Sequence, residues 1–85
     1  MQDPKSDPED DRRFRIEFGR SLRAAREHAG LSQADVAARL DVTQPYVSHV
    51  ERGQRNVTLS TIGAFARAVG CTFSIMLTPM LPPKD

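Results

Sequence analysis

The sequence predicts an all-α fold in which four helices are followed by one short β-strand. Apolar residues recur three and four positions apart along four segments between residues 12 and 70, as on the buried face of a helix. Each segment ends at a glycine or an aspartate, residue types that tolerate the left-handed conformation of a helix C-terminus. The next stretch, CTFSIMLT at residues 71–78, alternates apolar and polar side chains as a half-buried strand does. A chain of 85 residues has room for one small domain of this kind.

Both ends of the chain differ in composition from the part between them. Residues 1–11 are predicted to be a disordered acidic leader, because five acidic residues and two prolines leave little apolar surface to bury. They carry a formal charge of −4 in a chain of net charge +1, so the remaining residues carry +5. A basic folded part is compatible with a polyanionic partner and equally with an ordinary solvated surface. Residues 79–85 contain three prolines and are predicted to be a flexible tail.

The first two helices are separated by a short break. The first helix has one apolar stripe, formed by Phe14, Phe18, Leu22, Ala25 and Ala29. Gly30 ends it, and Ser32 follows as the N-cap of the second helix, with Asp35 placed favourably near the exposed N–H groups. Asp41 is predicted to end the second helix in the left-handed conformation, which aspartate tolerates better than most residues.

The third and fourth helices also have clear ends. Thr43 is the predicted N-cap of the third helix, since Pro45 is tolerated only in the first turn of a helix. Gly53 ends that helix. After a polar loop, Thr58 is the predicted N-cap of the fourth helix, which Gly70 ends. The second and third helices are therefore joined by a turn of about three residues.

Two short helices joined in this way form the helix-turn-helix arrangement of many DNA-binding domains. The outward face of the third helix carries small and polar side chains, namely Gln44, Pro45, Ser48, His49 and Arg52. Such a face fits the major groove, where hydrogen-bond donors and acceptors distinguish all four base pairs. The N–H groups at the start of the second helix are suited to a phosphate. The pattern therefore predicts that the third helix is the recognition helix.

The stretch LSQADVAARLDVTQPYVSHVERGQRNVTLSTIGAFARAVG, residues 31–70, resembles the helix-turn-helix domain of the lambda repressor and Cro class, also called the XRE family. The string LSQ..VA..L.VTQ..VS..ERG.R carries the resemblance, and the arginine-rich first helix fits the family's opening helix. The resemblance implies a lambda-repressor-like four-helix domain over residues 12–70 that binds double-stranded DNA. Two positions depart from the family pattern: Asp41 replaces a common glycine and Val57 a common proline. Both bear on loop geometry alone.

The resemblance also implies roles for individual residues. The base-contacting positions are occupied by Gln44, Pro45, Ser48 and His49. The residues predicted to contact phosphates are Gln33, Tyr46, Arg20, Arg52, Arg55 and Asn56. A glutamine at the position of Gln44 suits adenine, whose N6 and N7 atoms it can contact together. For Tyr46, packing over the second helix is the alternative role.

Glu51 is an acidic residue on a helix that is predicted to face DNA. In the family the matching glutamate pairs with an arginine of the first helix, and Arg26 occupies that position here. The resemblance therefore implies a structural ion pair that fixes the third helix against the first.

The predicted strand at residues 71–78 needs a hydrogen-bonding partner, and no other segment of the chain has a strand pattern. Pairing with its own copy across a two-fold axis satisfies the strand edge and buries Phe73, Ile75 and Leu77 as a dimer interface. A segment of this kind resembles that of the HipB-like antitoxins. The alternative is a short fifth helix, as in restriction-modification controller proteins, with a stripe formed by Phe73, Met76, Leu77 and Met80.

The predicted function is that of a homodimeric, sequence-specific transcriptional regulator, with repression at a palindromic operator as the expected mode. One alternative is a HipB-like antitoxin that neutralises a toxin protein and autoregulates its operon, and another is a restriction-modification controller protein. The sequence has no phosphate-binding loop, metal-ligand spacing or nucleophile with a placed base, so no enzyme, metal or cofactor is predicted. No membrane-spanning run or signal peptide is visible, and the expected location is the cytoplasm.

Overall fold

The structure is a computed structural model and describes residue 2 and residues 4–81. Four helices follow in chain order: α1 Pro8–His28, α2 Gln33–Leu40, α3 Gln44–Glu51 and α4 Leu59–Ala68. The predicted all-α, four-helix domain is confirmed. One core cluster unites the helices and comprises Leu22, Val36, Ala37, Val47, Val50, Phe65, Ala68 and Val69. Within the described part of the chain, no helix combines the length and apolar character needed to cross a bilayer.

Helix α1 begins at Pro8, before the predicted start of the folded part at Arg12. The Asp7 carboxylate accepts a hydrogen bond from the Glu9 backbone N–H at 2.9 Å and so caps the helix. Proline suits the first helical position, and acidic side chains in the first turn interact favourably with the helix dipole. The predicted boundary of the disordered leader at residue 11 is therefore wrong, because the acidic composition of residues 8–11 belongs to a helix N-terminus.

The turn between α2 and α3 has the geometry that the sequence predicts. Ser32 Oγ accepts a hydrogen bond from the Asp35 N–H at 2.9 Å, and the Asp35 carboxylate accepts one from the Ser32 N–H at 2.8 Å. Hydrogen bonding of the Asp35 carboxylate to Ser32, to its backbone first and to its side chain second, lowers the pKa of Asp35. Asp41 has a φ of 56°, in the left-handed region, and Thr43 caps α3 by accepting from the Tyr46 N–H at 3.3 Å.

Gly19 lies where α1 meets the C-terminal end of α3. A β-carbon at this position would collide with the Glu51 carbonyl oxygen and would lie 2.7 Å from the Val50 carbonyl oxygen. Both are backbone atoms, which cannot move aside as the end of a side chain can. Gly19 therefore sets how closely the predicted recognition helix approaches α1.

Residues 71–81 form neither the predicted strand nor the alternative fifth helix in this single chain. A strand is stable only when its N–H and C=O groups pair with a second strand, and the described residues include none. Phe73 is 42% exposed and Leu77 is 93% exposed, so their apolar side chains are not buried by the chain's own domain. Residues 82–85 of the predicted tail lie outside the described residues.

Candidate nucleic-acid interface

The outward face of α3 carries the four side chains predicted to contact bases. Gln44 and Pro45 are exposed, and Ser48 and His49, one turn later, are partly exposed. Positions one, four and five residues apart share one side of a helix, so the four side chains lie together. The residues on the opposite side of α3 are buried in the core. Packing of that side therefore fixes which side chains of α3 point outward.

Arg26 of α1 and Glu51 of α3 form the predicted ion pair. Arg26 Nε lies 2.5 Å from Glu51 Oε2 and Nη2 lies 3.0 Å from Oε1, so the contact is bidentate. The remaining Arg26 nitrogen, Nη1, donates to the Leu31 carbonyl oxygen at 2.9 Å. The exposed fractions of the two side chains are 11% for Arg26 and 3% for Glu51. The pair is thus largely shielded from water and joins α3 to α1.

Both members of this pair are charged at neutral pH. Burial alone would raise the pKa of Glu51, but the hydrogen bonds from Arg26 and Gln33, together with the positive charges of Arg26 and Arg23, hold it below its ordinary value. The hydrogen bond to Glu51 is the main cause that raises the pKa of Arg26 above its already high value.

A chain of side-chain hydrogen bonds leads from this ion pair to the start of α3. Gln33 Nε2 donates to Glu51 Oε1 at 3.0 Å, and Gln44 Nε2 donates to Gln33 Oε1 at 2.5 Å. Each amide nitrogen carries two hydrogens, so one N–H of each glutamine remains for another acceptor. Gln44 also keeps its Oε1 available. It therefore retains the donor and the acceptor that a paired contact with adenine requires.

The loop between α3 and α4 carries three of the residues predicted to contact phosphates, Arg52, Arg55 and Asn56, and all three are exposed. The Arg55 guanidinium lies 5.1 Å from the centre of the Tyr46 ring. That ring stacks on Phe65 of α4, with 6.1 Å between the ring centres. Tyr46 therefore packs against α4, where the sequence suggested α2 as its alternative packing surface.

Arg20 is the predicted phosphate contact on α1. It is exposed and borders a shallow cleft with Arg13 and Glu17. The preceding residue, Gly19, contacts the C-terminal end of α3.

Two of the residues predicted to form the dimer interface lie beside α1 and α4 rather than on the predicted DNA-contacting face of α3. Phe73 and Ile75 border a groove of about 850 Å³ that α1 and α4 line with Phe14 and Leu59. Phe14 is 53% exposed and Leu59 is 64% exposed, so the groove is apolar and open. Leu77 lies beyond it along the chain and is almost fully exposed.

Two arginines make contacts that the sequence analysis did not predict. Arg15 of α1 donates to the Gly53 carbonyl oxygen at 3.2 Å and to Asn56 Oδ1 at 3.0 Å. Arg39 of α2 donates to the Ala68 carbonyl oxygen at the end of α4 at 2.7 Å. These partners are far apart along the chain, so no local spacing indicates them. The close approach at Gly19, in contrast, has a signal in the sequence, because a glycine inside a helical pattern indicates close packing.

Comparison with known proteins identifies the family. A family model described as a helix-turn-helix domain matches residues 17–72, which is more than half of the chain. The chain belongs to the XRE family of helix-turn-helix regulators. The resemblance seen in the sequence is thereby confirmed.

Three relatives illustrate the range of XRE proteins that this chain is similar to. The uncharacterised HTH-type transcriptional regulator y4dJ of Sinorhizobium fredii is 38% identical over 61 residues, covering 72% of this chain and 79% of that protein. The structure of the restriction-modification controller protein C.AhdI from Aeromonas hydrophila has a TM-score of 0.65 and 41% identity, covering 69% of this chain and 89% of that one. Antitoxin HigA1 of Mycobacterium tuberculosis is 40% identical over 57 residues, covering 67% of this chain and 38% of the antitoxin.

The XRE match includes α2, α3 and α4 and every residue predicted to contact DNA. XRE proteins are DNA-binding regulators rather than enzymes. The match begins at Glu17, so the first part of α1, residues 8–16, precedes it. Arg15, which contacts the loop after α3, lies in this preceding part.

Proposed function

We propose that the protein is a cytoplasmic transcriptional repressor, without catalytic activity, that binds a palindromic operator as a homodimer. The observation that carries this proposal is the side chain of Gln44. It stands exposed at the start of α3, its amide is held by Gln33, and one N–H and the Oε1 remain for a base. A side chain fixed in this way loses less conformational entropy when it meets a base edge.

The remaining predicted contacts surround this position. Pro45, Ser48 and His49 complete the base-contacting face of α3, with Pro45 limited to an apolar contact such as a thymine methyl group. Phosphate contacts on either side position the helix without specifying sequence, and we assign them to Gln33, Tyr46, Arg20, Arg52, Arg55 and Asn56. The second N–H of Gln33 supplies one such donor.

A single helix-turn-helix contacts too few base pairs to specify an operator, so a two-fold dimer on two half-sites is the expected assembly. We propose that residues 71–78 become a strand when two chains meet, each segment pairing with its copy. The pairing supplies the ladder partner that a single chain lacks. It also covers Phe73, Ile75 and Leu77, which are exposed in the single chain.

Two related functions use the same DNA-binding domain. Similarity to C.AhdI favours a controller protein, and similarity to HigA1 favours an antitoxin that also binds a toxin protein. Met80 and Leu81, which are 89% and 94% exposed, are the proposed toxin contact, and the neighbouring residues 82–83 lie outside the described residues. The genes beside this one distinguish the three: a toxin gene, a restriction-modification pair, or neither.

Replacing Gln44 with alanine is expected to weaken binding to the preferred operator by about 1–3 kcal/mol and to relax the preference at one base pair. The variant removes both hydrogen bonds to the base and leaves the phosphate contacts in place. The measurement is selection of bound duplexes from a randomised library by the wild-type chain, followed by titration of the selected duplex with each variant. Gln2→Ala, the same change ahead of α1, is the control and should bind as the wild type does. A Gln44→Ala variant with unaltered affinity and base preference would show that Gln44 does not contact a base.

Replacing Ile75 with aspartate is expected to raise the dimer dissociation constant at least about tenfold, because burial of an isoleucine side chain contributes about 1.5–3 kcal/mol and a carboxylate opposes it. Sedimentation equilibrium of the purified chain measures the effect. Ser74→Asp places the same charge on the other face of the proposed strand and should leave the dimer largely intact. If Ile75→Asp dimerises as tightly as the wild type, the strand is not the interface.

A further inference from the structure

Arg15 joins α1 to the loop that follows the recognition helix. Its Nε donates to the Gly53 carbonyl oxygen at 3.2 Å, and its Nη1 donates to Asn56 Oδ1 at 3.0 Å. The guanidinium is partly buried, and its planar group spans both ends of the segment Gly53–Asn56. One side chain of α1 therefore fixes two points of this loop.

The loop also rests directly on the backbone of α1 beside Arg15. Gly53 has a φ of +73°, and a β-carbon there would lie 2.9 Å from Ile16 Cγ1 and 3.0 Å from Ile16 Cα. This contact leaves no room for a side chain at position 53. Gly53 therefore packs directly against α1, in addition to the hydrogen bonds that Arg15 makes.

The contact with Arg15 orients the amide of Asn56. Because Asn56 Oδ1 accepts from Arg15, the NH₂ group points away from that arginine, on a residue that is exposed. An outward NH₂ group is a donor that suits a phosphate oxygen. Arg55, one residue earlier, is held over the Tyr46 ring at 5.1 Å. The side chains of Asn56 and Arg55 are therefore both held in place in the chain without DNA.

We propose that Arg15 is a positioning residue for DNA binding, which holds the loop so that Asn56 and Arg55 face the DNA backbone. The proposal rests on the DNA-binding function proposed above and adds a part of α1 that precedes the family match at residue 17. Nε and Nη1 of Arg15 donate to acceptors within the loop, so the proposed role is exerted through the loop. The guanidinium keeps further N–H groups, and the double-variant measurement below separates the proposed role from a direct phosphate contact. Preordering the loop reduces the entropy lost on binding.

The test is the substitution Arg15→Lys, which keeps the charge but cannot make both hydrogen bonds of the guanidinium. Arg12→Lys, on the exposed surface of the same helix, is the matched control. Affinity for the selected duplex is measured for each variant, alone and combined with Asn56→Ala. Nitrogen-15 relaxation without DNA measures the order of the Asn56 backbone and side-chain amide.

Arg15→Lys is expected to bind the selected duplex about five- to tenfold more weakly, with an equal loss on unrelated duplexes, since phosphate contacts are independent of sequence. In the Asn56→Ala background the same substitution should cost less, about twofold, because Asn56, one of the two loop residues through which it acts, is already gone. The order parameter of the Asn56 side chain should fall, while Arg12→Lys should match the wild type in every measurement.

Wild-type affinity and wild-type loop order in Arg15→Lys would overturn the proposal, because charge alone would then suffice. An equal loss in both backgrounds would also overturn it, because Arg15 would not be acting through Asn56. Asn56→Asp gives a second measurement: it keeps the acceptor for Arg15, so the loop should stay ordered while binding weakens. If the proposed DNA-binding function were wrong, the wild-type chain itself would show no preference among duplexes. The relaxation data would still decide whether Arg15 orders the loop.

Discussion

Replacing Glu51 with alanine is expected to lower the free energy of unfolding by about 3–5 kcal/mol, a large part of the stability of a small domain. The reason is that the Arg26 guanidinium, 11% exposed, would remain buried without its carboxylate partner. Gln33 would lose its acceptor as well. Urea unfolding followed by circular dichroism at pH 7 measures the change.

Two further variants separate this effect from the loss of any glutamate. Glu27→Ala removes an exposed carboxylate that lies 3.6 Å from Arg23, and it should change stability by no more than about 0.5 kcal/mol. Replacing both members of the buried pair, Arg26→Met with Glu51→Leu, should restore most of the stability, because no unpaired charge remains. A loss below about 1 kcal/mol for Glu51→Ala would mean that the ion pair is not buried in solution.

The same carboxylate gives a prediction for pH. The folded-state pKa of Glu51 is lower than its ordinary value of 4.5, so the unfolded chain binds more protons than the folded chain over the range between them. The stabilising contribution of Glu51 is therefore complete above about pH 4.5 and is lost as the pH falls through its folded pKa. Asp35, whose pKa is also lowered, contributes in the same direction. The double variant Arg26→Met, Glu51→Leu should therefore lose less of its free energy of unfolding than the wild type does as the pH is lowered from 5.

Replacing Gly19 with alanine is expected to lower the free energy of unfolding by about 1–3 kcal/mol or more. The added methyl group would collide with the Glu51 carbonyl oxygen and approach that of Val50 at 2.7 Å, so α3 must shift away from α1. This loss exceeds the gain of about 0.5–1 kcal/mol that alanine brings in a helix. Because the shift moves the proposed base-contacting face of α3, affinity for the selected duplex should fall too.

Gly63→Ala is the matched control for this prediction. Gly63 lies within α4, and a β-carbon there would meet no atom within 4 Å. The substitution should therefore raise stability by about 0.4–1 kcal/mol. Urea unfolding should give a lower free energy of unfolding than the wild type for Gly19→Ala and a higher one for Gly63→Ala. A Gly19→Ala variant as stable as Gly63→Ala would contradict the close approach of α1 and α3.

Local signals in the sequence were sufficient for most of the fold. Ser32, Thr43 and Thr58 cap their helices as predicted, and Asp41 takes the left-handed conformation. The exception is the start of α1, where the acidic composition after Asp7 predicts disorder and the structure has a helix. An acidic, proline-containing segment has the same composition whether it is a solvated leader or the first turn of a helix.

The candidate site was predictable only in part. Resemblance to the XRE family placed Arg26 opposite Glu51, and the structure contains that pair. Neither the family pattern nor the spacing indicated that Gln44 donates to Gln33 or that Arg15 reaches Asn56. The DNA contacts themselves stay predictions.

The sequence by itself determined the four helices, the turn between α2 and α3 and the side of α3 that faces outward. Each of these depends on residues a few positions apart, through caps, left-handed residues and the period of the apolar positions. Only the tertiary structure decided which polar side chains meet, as with Arg15 and the loop at Gly53–Asn56, because such contacts depend on how closely whole helices pack. The conformation of residues 71–78 depends on association with a partner, since a strand is completed by the hydrogen bonds of a second strand.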